Sequence, residues 1–305
     1  MQTIRRIVSV LIILLIFYFL ITTLVTNWQR IPFSKLRFGF AELAISFIWL
    51  SIYLLIFVLV WAKILRELGE DIRFSEAFWI ITTSQLAKYV PGGIWYTLGR
   101  VYLCKTKKLN SGIVFLSVII ETCLLLLTSM IIFLSAIALT QKAVSVNPLI
   151  LILIVVVLLF MLHPYFLNRL TNFGLKVLKK PEIKLTIEYK KLLNLSVYFF
   201  GLWCAQIIGF YFLINAIMPI SFGEIFNLGG AYTLSWMSGF IVLFAPGGLG
   251  VREGMMTLLL SPLLPTPLAI AISFISRVWI TVFEVVVFFI GLLVKRKAEG
   301  KRRIG

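Results

Sequence analysis

Pro-Gly-Gly occurs twice in this chain, and each copy interrupts a long apolar region. The first is Pro91-Gly92-Gly93, preceded by Lys88 and followed by Arg100. The second is Pro246-Gly247-Gly248, followed by Gly250, Arg252 and Glu253. Proline lacks a backbone N–H, and glycine carries an entropic cost, so both interrupt helices. In hydrocarbon, a broken backbone persists only where protein or a wet cavity satisfies its polar groups. Two such breaks at corresponding places in two halves point to a transporter's binding site.

The setting is a membrane. Hydrophobic residues make up 61% of the 305, charged residues only 13%, and the mean hydropathy is +1.04. A soluble chain carries roughly 25% charged residues. The net charge of +17 does not indicate nucleic acid, because the bases cluster at the ends of apolar runs. Cys104, Cys123 and Cys204 are scattered and lack metal or disulfide spacing, so they read as small core residues.

Apolar runs and bases together give a layout. Arg5 and Arg6 precede a first span over residues 7–25. The second span covers 39–61. Residues 74–90 are apolar but carry Ser75, Thr82, Thr83, Ser84, Gln85 and Lys88. They end at Pro91 and return to Lys105, Lys107 and Lys108, which predicts a re-entrant hairpin entered from inside. Spans over 111–139 and 148–163 follow, then a basic inner loop over 164–191, then a span over 192–217. Residues 222–260, with the second Pro-Gly-Gly, predict a hairpin entered from outside. The last span covers 268–294 and ends in Lys295-Arg296-Lys297. Arg30, Lys35, Arg37 and Lys142 fall on the outer side, and most other bases fall inside.

The fold class is therefore an all-α polytopic bundle. It has about six spans plus two hairpins, within a single transmembrane domain over 1–305. The span–hairpin–span units 39–139 and 192–294 form an inverted repeat. Residues 222–244 are also long enough to cross completely. Both termini are expected to be cytoplasmic.

Ionisable groups at membrane depth face a cavity or a partner. Lys88, Arg100, Glu121, Arg252, Glu253, Arg277 and Glu284 are the candidates for substrate binding. Cations outnumber acids in this set. That suits an anionic headgroup, since arginine binds phosphate with two donors and lysine acts as a point charge. Helix N-termini restarting after each break would add positive partial charge. Pro91, Gly92, Gly93, Pro246, Gly247, Gly248 and Gly250 are expected to shape the hairpins. The bland readings are snorkelling for Lys88 and Arg100, and structural ion pairs for the others.

Several chemistries lack their residues. No Walker sequence is present, so ATP-driven transport by this chain alone is not expected. His163 is the single histidine, which leaves no Ser/His/Asp set, and it sits before Pro164 at a span end. The acids are too scattered for a metal site. The sequon at Asn194-Leu195-Ser196 lies at the inner end of a span.

The segment 86–93 with Arg100, then Glu121, then 245–254, then Ser276-Arg277, resembles the lysylphosphatidylglycerol synthase transmembrane family. The likeness extends over roughly residues 8–295, with 245–254 its most specific part. The resemblance implies a flippase-like helical domain that moves or handles lipids. In two-part members of that family a cytoplasmic domain attaches lysine to phosphatidylglycerol. No such domain is seen in this sequence, so a stand-alone member is expected and no synthase activity is carried over. Thr122 follows Glu121 where many relatives have arginine.

The expected function is flippase-like translocation of an anionic or zwitterionic phospholipid or a lipid-linked sugar. The alternative is an integral membrane enzyme or accessory subunit in lipid or lipid-linked glycan synthesis. The expected location is the cytoplasmic membrane of a bacterium or archaeon. Expected partners are membrane lipids and a separate lipid-modifying or glycosyl-transferring enzyme, with no nucleic acid, cofactor or metal.

Overall fold

The computed structural model describes residues 37–89, 95–140, 147–177, 181–184, 187–242 and 246–304, with Thr22 and Val25. The expected first span over 7–25 lies essentially outside the described residues, as do Pro91, Gly92 and Gly93. Among the described residues there are ten α-helices and no strand. They are α1 Phe40–Glu67, α2 Phe74–Gln85, α3 Trp95–Lys105, α4 Ser111–Thr140 and α5 Pro148–Met161. The others are α6 Pro164–Val177, α7 Tyr189–Ile217, α8 Ile225–Ile241, α9 Val251–Leu260 and α10 Thr266–Ile304.

Four of these are long and apolar enough to cross a membrane: Phe40–Glu67, Ser111–Leu139, Tyr189–Ile217 and Thr266–Lys297. They coincide with the spans expected over 39–61, 111–139, 192–217 and 268–294. The expected span over 148–163 is shorter. Its helix α5 has 14 residues, roughly 21 Å at 1.5 Å per residue, against a hydrocarbon core of about 30 Å. It reaches membrane length only together with α6, from which it is bent by 73°.

The bend has a local cause. Asn147 caps α5 by accepting from the Leu149 N–H, and Pro148 sits in the first turn, where its missing N–H is harmless. At the other end, Pro164 cannot continue the helix. His163 Nδ1 accepts from the Tyr165 N–H at 3.3 Å and starts α6 afresh. That helix turns one stripe inward, with Leu167, Thr171 and Leu175 buried.

The centre is built on close helix approach and shared hydroxyls. α1 packs along α7, α8 along α4, and α2 along α10. A Cβ at Gly230 on α8 would lie 2.7 Å from Ala136 Cβ on α4. One at Gly291 on α10 would collide with Thr82 Oγ1 on α2. Three buried indoles donate to hydroxyls on other helices. Trp61 donates to Ser117 at 3.1 Å, Trp203 to Thr128 at 3.1 Å and Trp279 to Ser46 at 3.0 Å. These bonds satisfy N–H groups that burial would otherwise strand.

Charges collect at one end of the bundle. Lys191 at the start of α7 pairs with Glu67 at the end of α1. Lys107, just past α3, pairs with Glu76 at the start of α2. Lys295 near the end of α10 lies over the Trp79 ring at 4.9 Å. At the opposite end, the N–H groups of Arg37 and Gly39 reach the carbonyls of Ile217 and Ala216. Arg37 also pairs with Glu42 at 2.8 Å.

Each break is flanked by helices that fold back on one another, α2 against α3 and α8 against α9. At the first, α2 passes into a 3-10 turn over Leu86–Tyr89. At the second, Pro246–Gly248 form a 3-10 turn, and Gly247, Gly248 and Gly250 have φ of 57°, 73° and 83°. That left-handed backbone favours glycine. Gly248 also has no room, since a Cβ would lie 2.7 Å from Gly239 Cα on α8.

Of the cysteines, Cys104 and Cys123 are buried as expected, whereas Cys204 is exposed on α7.

Candidate functional site

The turn leading into the first break meets the second break. A Cβ on Gly247 would stand 3.6 Å from the Tyr89 ring and 3.7 Å from the Lys88 carbonyl oxygen. Beside this junction lies a cavity of roughly 1050 Å³, its open mouth included. Its polar lining includes Tyr53, Gln85, Lys88, Glu121, Arg252 and Arg277, and Phe57, Leu125, Trp236 and Phe240 form its apolar wall. Gly239, Gly247 and Gly248 contribute bare backbone. The glycines that let the second break approach α8 thus also open the space.

The cations around the cavity are compensated unequally. Arg100 is completely buried, and its guanidinium donates to Glu121 Oε2 at 2.5 Å. It also donates to the Tyr96 hydroxyl, which itself donates to Glu121 Oε1 at 2.6 Å. Trp61 lies beneath the guanidinium at 4.9 Å. This charge is neutralised within the protein, and Arg100 is not part of the cavity lining. Glu121 borders the space, but both its oxygens are engaged by the first break's helix. Its arginine partner therefore comes from α3 and not from the next residue, Thr122.

Lys88 pairs with Glu284 on α10. The other oxygen of Glu284 accepts from the Tyr89 hydroxyl at 2.8 Å, and that hydroxyl lies 3.0 Å from Thr281 Oγ1. Lys88 and Glu284 therefore clip the first break to α10. Arg277, one helical stretch earlier, clips the second break to the same helix. It donates to the Gly247 carbonyl at 2.7 Å and stands 3.7 Å from Glu253 Oε1. Glu253 turns its other oxygen to the Gly250 N–H at 2.6 Å. The donors expected at the restart of α9 are thus partly claimed by the protein's own carboxylate.

Arg252 differs from the rest. No carboxylate lies within ion-pair distance of it among the described residues. Its guanidinium sits 5.1 Å over the ring of Tyr232, whose hydroxyl accepts from Gln206 at 2.9 Å. Cation–π contact and one neutral neighbour offset only part of a buried charge. Arg252 faces the cavity with binding capacity left over.

All seven ionisable candidates thus fall around the junction of the two breaks, in three groups. Arg100 and Glu121 form a sealed pair. Lys88, Glu284, Arg277 and Glu253 bind the breaks to α10. Arg252 borders the cavity without a carboxylate. Sequence reasoning did not single out Tyr53, Tyr89, Tyr96, Tyr232, Trp236 or Phe240. Tyr89 and Tyr96 flank the first Pro-Gly-Gly, and that adjacency was the available signal.

Comparison with known families decides the assignment. The family model for the lysylphosphatidylglycerol synthase TM region matches residues 6–287. The chain belongs to that family. Its match takes in both breaks and every candidate residue named above. Membership, together with the apolar helices, makes this an integral membrane protein with a membrane lipid-related role. Comparison with curated proteins finds no match.

Proposed function

We propose that this chain translocates lipid, passing a headgroup through the cavity between its two breaks. The cargo is an anionic or zwitterionic phospholipid or a lipid-linked sugar. Arg252 carries this reading, because it borders the cavity with no carboxylate partner among the described residues. Arginine at mid-membrane depth costs at least about 2.5–3.5 kcal/mol. A phosphate arriving in the cavity offsets that cost and takes two parallel N–H donors. Lys88 and Arg277 add positive field, and the aromatic wall accepts the apolar part of the lipid.

The contacts support a two-unit machine. α2 starts and α3 ends near the same charged end of the bundle, as a re-entrant hairpin requires. α8 follows the opposite end of α7, and α9 packs on the early turns of α10, where Thr257 meets Ser273 at 3.2 Å. That is the inverted sense. α8 packs on α4 and α2 on α10, so each unit's hairpin packs on the other unit's last span. Residues 39–139 and 192–294 are the two units. Rocking one against the other alternates access to the cavity. The charged end, with both termini and the 164–191 loop, faces the cytoplasm, and the membrane is the cytoplasmic one.

Native mass spectrometry of the purified chain, followed by lipid identification, tests the reading. It predicts a retained phospholipid or lipid-linked sugar that is lost in Arg252→Gln. A retained lipid recovered chemically altered after incubation would instead favour an enzyme. Equal retention by wild type and Arg252→Gln would remove the cavity from the account.

A further inference from the structure

We propose that α6 lies flat in the membrane surface at the charged end of the bundle and binds anionic phospholipid there. This surface is separate from the cavity and does not depend on the cavity's role. The observation is a helix whose sides divide into three sectors. Leu167, Thr171 and Leu175 recur every four residues and are buried against the bundle. Arg169 and Lys176 are exposed and stand about 20° apart around the helix, at 3.6 residues per turn. Leu170 and Val177 are also exposed and about 20° apart, roughly 100° further round, with Phe173 between them and the bases. Phe173 and Val177 are each 68% exposed. A water-facing helix would have no use for that apolar sector.

Packing fixes where α6 sits. A Cβ at Gly174 would lie 2.7 Å from the Phe115 ring, and one at Gly112 would lie 3.5 Å from Leu175. Phe115 and Gly112 belong to the first turns of α4, just past Lys105, Lys107 and Lys108. Asn172 clamps the following loop to the helix. Its Nδ2 donates to the Ile183 carbonyl, and the Ile183 N–H donates to its Oδ1, both at 3.0 Å. Around the helix, Asn172 is roughly opposite Leu170 and Val177, so the loop leaves the apolar sector open.

The length of α5 sets the depth. Leu149, Ile152, Leu153, Val156 and Phe160 are exposed along it and suit lipid. Its 14 residues span roughly 21 Å. Starting at the outer boundary of a core about 30 Å thick, it ends about 9 Å short of the inner one. The 73° bend then turns α6 close to the membrane plane at that level. Interfacial helices bury their apolar face about 5–10 Å into the boundary between headgroups and acyl chains. Phe173, Val177 and Leu170 would enter the acyl region, while Arg169 and Lys176 extend to the headgroups. The charge selects the lipid. α6 carries no acidic residue, and residues 164–191 hold seven bases against Glu182 and Glu188. Bases held at an anionic surface attract its lipids.

The test uses the full chain with Cys204→Ser, which leaves only buried native cysteines. A thiol-reactive NBD dye is placed at Phe173→Cys, or at Glu182→Cys on the clamped loop. The vesicles contain equal parts phosphatidylcholine and phosphatidylglycerol. One of the two lipids bears a nitroxide, either near the acyl carbonyl or at the chain end. At position 173 the carbonyl-level nitroxide should quench more than the chain-end one, and a water-soluble quencher should have little effect. At position 182 the water-soluble quencher should act fully. A nitroxide on phosphatidylglycerol should quench position 173 about twofold more than one on phosphatidylcholine. Adding Arg169→Gln/Lys176→Gln should make the two equal. If Phe173→Cys misfolds, Val177→Cys carries the dye with the same expectations. Full access of the water-soluble quencher to position 173 overturns the proposal and opens the apolar sector to a soluble protein. Strongest quenching from the chain end overturns it too, since α6 would then complete a span with α5. Equal quenching by the two lipids in the wild-type background, or a preference that survives the double substitution, overturns the anionic selection.

Discussion

Arg100 and Arg252 each follow a Pro-Gly-Gly, and both sit against an aromatic ring beside the same cavity. Their surroundings are nevertheless opposite. Arg100 is sealed by Glu121 and Tyr96 and has no exposure at all. Arg252 has Tyr232 beneath it, open space ahead and no carboxylate. A buried charge paired with a carboxylate inside the protein belongs to the fold. A buried charge without one beside a cavity is a place for something else's charge. The difference separates a structural arginine from a ligand-binding one within the same recurring motif.

Breaking the sealed side should have the largest effect on folding. Glu121→Gln leaves Arg100 charged and unpaired, a change that typically costs ~3–5 kcal/mol. Replacing both members, Arg100→Met with Glu121→Leu, should recover most of that loss. Thermal unfolding in detergent reads both. A double variant as unstable as the single one would show that Arg100 does more than satisfy Glu121.

The glycine contact comes next. Gly248→Ala forces a left-handed backbone that costs about 1–2 kcal/mol for an L-residue. It also drives a methyl to 2.7 Å from Gly239 Cα. α8 must then shift, and the cavity with it. Gly247→Leu should be comparable, because its side chain meets Arg277. Melting temperature and lipid retention should fall together in both. Full retention in either would detach the cavity from the backbone of the second break.

Arg252→Gln should behave in the opposite way to the Glu121 variant. It removes an under-compensated charge, so the melting temperature in lipid-free detergent should hold or rise. Added phospholipid should stabilise wild type and leave the variant unmoved, because a ligand stabilises only the state that binds it. A destabilised Arg252→Gln would make this arginine structural like Arg100.

The smallest effect belongs to the charged end. Lys191→Ala removes a half-exposed pair with Glu67 and should leave the melting temperature close to that of wild type, because solvent screens such pairs.

The sequence made much of this legible, for physical reasons. Long apolar runs report spans directly, and four of them are helices of membrane length. Gly247, Gly248 and Gly250 were readable because positive φ is a demand on residue type. The end of α5 was visible at His163-Pro164, but the bend into α6 was not. The partition of the charges was hidden. Arg100 and Glu121 lie on different helices, and only tertiary packing brings them together. Lys88 meets Glu284 from the far half of the chain for the same reason.

The central claim is that the cavity between the two breaks holds a headgroup during passage. Fluorescent-phospholipid translocation in proteoliposomes measures it most directly, with wild type and Arg252→Gln/Arg277→Gln compared at equal incorporation and verified folding. Wild type should move lipid between leaflets without altering it covalently, and the double variant should not. Arg→Lys at the same positions should restore movement only in part, because the two-donor fork is lost. Wild-type translocation by a well-folded double variant would contradict the account.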